Sequence, residues 1–132
     1  MFSRSKKKVA LQPNDFEFQQ KYSLEHRTTQ SEKIRGKFPT RIPMIIEPAN
    51  RKTVRQIEKT KFLIPEDYHV SRFLNMLRSK VTLLKDQAIF IFLENNTIPP
   101  ANETMSRIYE NHKNEDGFLY VHYTTENTFG CH

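Results

Sequence analysis

The spacing of apolar and polar positions along the chain predicts a series of short helices and strands. Residues His69–Val81 give the clearest helix, because apolar side chains recur there at helical spacing, at Val70, Phe73, Leu74, Leu77 and Val81. Ala88–Leu93 is apolar throughout and is predicted as a strand in the centre of a sheet. The other predicted strands are Ile42–Glu47, Lys61–Pro65 and Phe118–Tyr123, and Thr104–His112 is predicted as a short helix.

A first helix is predicted ahead of these elements. Asn14 and Asp15 are favourable N-cap residues, and Phe18 and Tyr22 after them lie four positions apart, on one helical face. This pattern indicates a short amphipathic helix at the start of the folded region.

A second helix is predicted to begin after Ser23, another favourable N-cap, and to end near Arg35. Gly36 and Pro39 are expected to stop it. Its remaining positions are mostly polar, so it should rest on the rest of the protein through two apolar residues, Leu24 and Ile34.

The order of elements predicts an α+β protein in which a mixed sheet wraps around one helix. A length of 132 residues suits one domain with tails. We expect a basic flexible tail over residues 1–12, a helical subdomain over 13–36, and the sheet domain over 37–124. Residues from Thr124 onward are polar and should fray, giving a flexible tail over 125–132.

Composition narrows the possible classes. The single cysteine, Cys131, excludes an internal disulfide framework and a cysteine-based zinc site. The longest apolar run is too short to span a bilayer, and no apolar segment follows the charged N-terminus as in a secretory signal. These features predict a soluble protein of a reducing compartment, with no cofactor and no metal.

Charge is distributed unevenly. Residues 1–61 contain 15 Lys/Arg and 6 Asp/Glu, a balance of +9, whereas residues 62–132 contain 6 and 9, a balance of −3. A basic half favours an acidic partner, which leaves nucleic acid, an anionic membrane and an acidic peptide open. For isolated lysines, solubility is the simpler interpretation.

No catalytic constellation is present in the sequence. The five histidines match no zinc-protease or nucleophile motif, and the three glycines, Gly36, Gly117 and Gly130, form no phosphate-binding loop. The C-terminal Phe129–His132 places a glycine in a polar tail, where its small size would let the chain enter a narrow enzyme channel. Taken alone, this tetrapeptide fits an ordinary frayed tail equally well.

Several longer blocks occur in a characteristic order. They are Glu32–Arg35 (EKIR), Phe38–Pro43 (FPTRIP) with Ile45–Glu47 (IIE), Lys59–Pro65 (KTKFLIP), Ala88–Phe92 (AIFIF), Ile98–Pro100 (IPP), Asp116–Val121 (DGFLYV) and Glu126–Gly130 (ENTFG). This set resembles the ubiquitin-like autophagy modifiers, the family of microtubule-associated protein light chain 3 and the GABA type A receptor-associated protein. The likeness covers about residues 22–130.

The resemblance implies a ubiquitin-like β-grasp domain with two additional N-terminal helices. It also implies that a cysteine protease removes Cys131 and His132, and that activating and conjugating enzymes then transfer Gly130 to phosphatidylethanolamine. The protein would be no enzyme itself, because its partners supply the catalytic residues. It would be cytoplasmic, and would lie on the autophagosome membrane after lipidation.

The family also binds cargo receptors through short peptides in which two residues separate an aromatic from an aliphatic side chain. Such a peptide would add a strand to the sheet edge at Lys61–Ile64. By similarity, the aromatic pocket is formed by Ile34, Pro43, Lys61, Leu63 and Phe118. The aliphatic pocket is formed by Phe62, Ile64, Pro65, Phe73, Met76 and Leu77. Arg41, Lys59 and Lys61 would face acids of the peptide.

Some positions depart from the usual family pattern. Gln30 stands where many members carry an acid, Leu24 replaces a common Phe, and Tyr68 stands where the aliphatic pocket often has a smaller residue. Glu94 resembles a one-residue insertion, and Pro48 follows the first predicted strand directly. These differences concern partner preference more than the core activity.

Three hypotheses remain at this point, in descending order. The first is the lipid-conjugated modifier, which depends on Gly130. The second is a non-conjugated adaptor that binds peptides or tubulin through the same surface, and whose function would depend on Lys61 and Leu63 instead. The third, a basic nucleic-acid-binding domain, ranks far behind, and no nucleic-acid partner is expected.

Overall fold

The computed structural model describes residues 16–50, 59–81 and 87–127 of the chain. Four helices and four strands lie in these ranges. The helices are α1 (Glu17–Lys21), α2 (Leu24–Lys37), α3 (Val70–Lys80) and α4 (Met105–His112). The strands are β1 (Arg41–Pro48), β2 (Lys61–Pro65), β3 (Gln87–Leu93) and β4 (Leu119–Asn127). The predicted order of elements is confirmed, with boundaries shifted by a few residues.

The strands form one mixed sheet in the order β2-β1-β4-β3. The central pair, β1 and β4, is parallel, with Met44 opposite Leu119, and the outer pairs are antiparallel. β1 tolerates Pro43, which has no backbone N–H, because the pairing of β1 with β4 begins only at the next residue, Met44.

The sheet is covered on both faces, since alternate residues of each strand point to opposite sides. From β1, Ile42, Met44 and Ile46 join α3 and α4 in the larger core. Ile45 points the other way and packs with Phe16, Phe18, Phe118 and Tyr120 under α1 and α2. The fold is therefore a sheet wrapped around α3, with two N-terminal helices on its outer face.

One predicted placement in the sheet is wrong. The Ala88–Leu93 run lies in an edge strand, not in the centre, because β1 and β4 occupy the central positions. Only alternate residues of β3 face the larger core, namely Ile89, Ile91 and Leu93, and Phe90 is 43% exposed. Continuous apolar sequence therefore does not indicate central position in this sheet.

Two predicted boundaries and one predicted contact also need correction. β4 continues to Asn127 because β3 pairs with it as far as Gln87, so the chain does not fray after Thr124. α2 runs through Gly36 to Lys37 and stops before Pro39. Leu24 is 42% exposed, so it does not anchor this helix. The predicted caps of α1 are wrong, because its N-cap is Phe16, and Asn14 and Asp15 themselves lie outside the described residues. The predicted tail at 1–12 and residues 128–132 of the tail predicted at 125–132 also lie outside them.

Among the described residues, no helix has the length and apolar character needed to cross a membrane. Within the same three ranges, no group of three or more His, Cys, Asp and Glu side chains is placed to hold a metal ion.

Candidate functional site

The open edge of β2 offers backbone groups for a further strand. Ile46 N–H donates to Thr60 C=O at 2.8 Å, and this bond shows which residues of β1 and β2 form hydrogen-bonded pairs. Because bonded pairs alternate in antiparallel strands, Phe62 and Ile64 also bond to β1. Lys61 and Leu63 therefore direct their N–H and C=O groups away from the sheet, and an extended peptide can pair with them.

The residues predicted for the aromatic pocket lie between α2 and the first two strands. Pro43 and Leu63 are neighbours across the β1–β2 ladder. Ile34 of α2 packs on the outer-face cluster that contains Phe118, which is itself fully buried. Leu63 and Ile34 are half-buried and Lys61 is exposed, so these three are available to a ligand.

The residues predicted for the aliphatic pocket lie between β2 and α3. Phe73 and Leu77 are 0% exposed and belong to the larger core, together with Phe62 and Ile64. Pro65 and Met76 are half-buried and form the accessible part of this set. A ligand residue would therefore contact Pro65 and Met76 over a floor of core side chains.

Beside this second pocket, Arg72 lies over the ring of Tyr68, with its guanidinium carbon 4.3 Å from the ring centre. Tyr68 is half-buried and packs on the larger core. The departure from the family pattern at Tyr68 thus brings an aromatic ring and a cation to the pocket rim.

The cations predicted to face an acidic peptide lie along the β2 edge. Arg41 Nη1 lies 3.4 Å from the outward C=O of Leu63, and Lys59 Nζ lies 5.5 Å from the centre of the Phe62 ring. Arg35, which the sequence did not single out, donates to Arg41 C=O at 2.8 Å. Neither salt bridge found among the described residues involves these side chains or Lys61. The edge therefore carries net positive charge.

A buried polar network fixes α2 over the sheet. Asp116, just before β4, is 1% exposed, and its Oδ2 accepts from Arg27 Nη1 and from Tyr120 O–H, each at 2.5 Å. Its Oδ1 accepts from Phe118 N–H at 2.8 Å, and Ser31 Oγ donates to its backbone C=O. The sequence carries no local signal for this network, because Arg27 and Asp116 are 89 residues apart. Two helix residues are thereby held against the outer face.

The network changes the acidity of its members. Burial raises the pKa of Tyr120 well above the usual tyrosine range, and the hydrogen bond to Asp116 raises it further. Burial alone would lower the pKa of Arg27, but its contacts with Asp116 and Tyr120 outweigh this effect and raise it. Both groups therefore keep their protons at neutral pH.

A second carboxylate, Glu47 on β1, holds α1 in place. It is 3% exposed, and its two oxygens accept from the N–H groups of Glu17 and Phe18 at 2.7 and 3.0 Å. Phe16, the N-cap residue of α1, stacks on His122 of β4 at 3.9 Å between ring centres. Glu47 is the one acid in a strand whose other residues after Arg41 are apolar, and this was the sequence signal for the contact.

α1 also closes one side of a shallow cavity of about 170 Å³ next to Lys61. Its lining residues are Glu17, Phe18, Lys21, Tyr22, Glu47, Thr60 and Lys61. The cavity therefore joins α1 to the open edge of β2.

Gly130, Phe129, Cys131 and His132 lie outside the described residues. The last described strand, β4, ends at Asn127, three positions before Gly130. The predicted conjugation site thus follows closely on the folded sheet in sequence.

The sheet order, the helix it encloses and the two outer helices define a ubiquitin-like protein. Residues 26–130 match the family model described as "Autophagy protein Atg8 ubiquitin like". The chain belongs to this Atg8 family, and is therefore a ubiquitin-like modifier of autophagy.

Curated relatives cover most of the chain. Autophagy-related protein 8 of Schizosaccharomyces pombe is 45% identical over 114 residues, which is 86% of this chain and 93% of the relative. Autophagy-related protein 8a of Arabidopsis thaliana is 49% identical over 107 residues, 81% of this chain and 87% of the relative.

Solved structures agree with the fold. Trypanosoma brucei ATG8 superposes with a TM-score of 0.79 at 35% identity, covering 88% of this chain and 99% of that one. Plasmodium falciparum Atg8, solved in complex with an Atg3 peptide from the same organism, gives a TM-score of 0.74 at 35% identity. That alignment covers 83% of this chain and 96% of the Plasmodium chain. The ubiquitin-like fold with two N-terminal helices is confirmed.

Proposed function

We propose that the chain is cleaved after Gly130 and conjugated through Gly130 to phosphatidylethanolamine, supporting autophagosome formation. The observation that carries this proposal is the range of the family match, which begins in α2 and ends at Gly130. The chain supplies an unhindered glycine carboxyl group as the acyl donor. A cysteine protease, an activating enzyme and a conjugating enzyme perform the chemistry, so the protein itself is not an enzyme.

The Plasmodium relative with its bound Atg3 peptide supports a conjugating enzyme of the Atg3 type as a partner. Lipidation would move the protein from the cytoplasm to the autophagosome membrane. A diacyl lipid is sufficient for stable anchoring, because each buried CH₂ group contributes about 0.8 kcal/mol. The basic N-terminal half adds attraction to anionic head groups.

The test is the intact mass of the protein recovered from starved cells, beside a Gly130→Ala variant. Wild-type protein should lose Cys131 and His132 and gain the mass of a phospholipid, and the variant should show no lipid. Unprocessed and unlipidated wild type, under conditions that lipidate a control homologue, would reject conjugation.

We further propose that the β2 edge binds cargo receptors and adaptors with acidic aromatic-x-x-aliphatic motifs. The outward backbone groups of Lys61 and Leu63 supply the strand pairing, and the half-buried side chains of Leu63, Ile34 and Met76 supply apolar contacts. The cations along the edge, Arg41, Lys59 and Lys61, complement acids in the peptide.

Calorimetric titration with a peptide of this class tests the surface. Leu63→Asp should abolish binding, since it places a carboxylate among the apolar contacts and beside the peptide. Phe90→Asp changes an exposed side chain on the opposite edge of the sheet and serves as the control. Equal affinities for the two variants would reject the β2 edge as the binding site.

The non-conjugated adaptor, binding peptides or tubulin, is the second candidate. It is favoured by the position of β2 at the edge of the sheet, where a peptide can pair with the strand without the use of Gly130. Cells in which Gly130→Ala restores cargo delivery as well as wild type would support the adaptor. Loss of delivery with Gly130→Ala, at normal protein levels, supports the modifier.

A further inference from the structure

We propose that Gln30 makes the peptide site selective for a carboxylate next to the aromatic residue, by holding Lys61 through a neutral group. This inference rests on the proposed peptide-binding function. Lys61 Nζ donates to Gln30 Oε1 at 2.6 Å, which links the open strand β2 to helix α2. The same ammonium lies 5.9 Å from the centre of the Phe18 ring on α1. Lys61 therefore crosses the space between the two helices and the sheet edge.

The carboxamide of Gln30 is oriented from its other end. Its Nε2 lies 2.6 Å from His26 Nε2, one helical turn earlier in α2. Since Gln30 Oε1 accepts from Lys61, the amide group donates to His26, whose Nε2 is then the acceptor. The His26 ring in turn stacks on Tyr22 at 4.9 Å, with an angle of 17° between the rings. Gln30 thus has one partner for its oxygen and another for its nitrogen.

This arrangement fixes the Lys61 ammonium without an ion-pair partner in the described part of the chain. Among the described residues, neither salt bridge involves Lys61, although two acids, Glu17 and Glu47, line the same cavity. The Glu47 carboxylate accepts from two backbone amides of α1 instead. A hydrogen bond to a neutral carboxamide therefore positions Lys61, and no charge of its partner offsets the charge of the ammonium.

An arriving carboxylate can replace the carboxamide as the partner of Lys61. The exchange favours binding, because the ammonium–carboxylate pair adds the attraction of opposite charges to the hydrogen bond. With an acid at position 30, Lys61 would already be paired with a carboxylate before the peptide arrives. Gln30 is therefore a positioning residue that acts through Lys61 on the choice of peptide.

The experiment compares two peptides that differ only in Glu or Gln directly before the aromatic residue, titrated into the full chain. Gln30→Glu should lower the affinity for the acidic peptide about tenfold and for the neutral peptide less than about twofold. In a Lys61→Met background, Gln30→Glu should no longer change the difference in affinity between the two peptides. Asn111→Asp, an exposed amide-to-acid change on α4, is the control for net charge and should change neither affinity.

An equal loss for both peptides would show that Gln30 only maintains structure, and would overturn the inference. An unchanged preference in Gln30→Glu would overturn it as well. A different result would reject the proposed peptide-binding function itself. In that case wild-type protein would bind neither peptide, and both proposals would be rejected.

Discussion

Asp116 connects the second helix, the turn before β4 and the β4 strand through one buried carboxylate, which makes Asp116→Asn an informative substitution. Asparagine has the same shape, so the core packing around it is unchanged. The substitution removes the negative charge that faces Arg27, whose side chain is 12% exposed. It also puts an NH₂ donor in place of one carboxylate oxygen, so the Tyr120 hydroxyl loses its charged acceptor when the remaining oxygen stays on Phe118 N–H. The cost should therefore be electrostatic.

The expected magnitude follows from the geometry. Removing one partner of a buried ion pair costs about 3–5 kcal/mol, because the remaining charge stays desolvated. Arg27 retains some exposure and still donates to Tyr22 C=O at 3.1 Å, which places the expected loss near the lower end, at about 3 kcal/mol. With a urea m-value of about 1.5 kcal/mol per M, the midpoint should fall by about 2 M.

Equilibrium urea unfolding of the two proteins measures this difference. Glu103→Gln is the matched control, since it makes the same charge change in an exposed pair with Arg107 at 3.4 Å. That variant should lose less than about 0.5 kcal/mol. If Asp116→Asn lost no more stability than Glu103→Gln, the network would not be what holds α2 on the sheet.

Three further predictions concern stability. Gly117→Ala should lower the free energy of unfolding in urea by about 2–3 kcal/mol, because φ is +91° and a Cβ there would overlap Ser31 Oγ. Gly36→Ala, in open space on α2, should raise it by about 0.5 kcal/mol. Equal effects of the two substitutions would contradict the reasoning. Above pH 10 the unfolded chain releases the Tyr120 proton while the native state retains it, because the native pKa of Tyr120 is raised. The contribution of Tyr120 to the free energy of unfolding is therefore complete below pH 10, and it falls above pH 10 by up to about 1.4 kcal/mol per pH unit. Unfolding midpoints for Tyr120→Phe should fall less steeply with pH than those of wild type, and parallel slopes would refute this. Glu47→Gln should cost about 2 kcal/mol and speed hydrogen exchange at the first amides of α1, and unchanged exchange would show that Glu47 does not hold that helix.

The sequence was sufficient for the elements because their periodicity is local. Helix α3 repeats its apolar residues every three or four positions, and β2 alternates between Phe62, Ile64 and exposed Lys61. Sheet order was not predictable in this way. The apolar run in β3 suits a central strand, and only the pairing of β4 with β1 places it at an edge.

The part of the site that consists of one local segment was also predictable from the sequence. The strand at Lys61–Ile64 and its cations follow from the KTKFLIP block. The contacts that position the helices around it join residues far apart in sequence, such as Phe18 to Glu47 and Arg27 to Asp116. No periodic pattern encodes these pairs, and of the two carboxylates only Glu47 is a single acid between apolar neighbours.

The most direct test of the proposed binding surface is amide hydrogen exchange at the β2 edge, measured by NMR with and without an acidic aromatic-x-x-aliphatic peptide. In the free protein, the amides of Phe62 and Ile64 should be protected and those of Lys61 and Leu63 should exchange faster, because only the first two bond to β1. Bound peptide should slow exchange at Lys61 and Leu63 by at least about tenfold. Unchanged exchange at both residues with peptide at saturation would contradict strand addition at this edge.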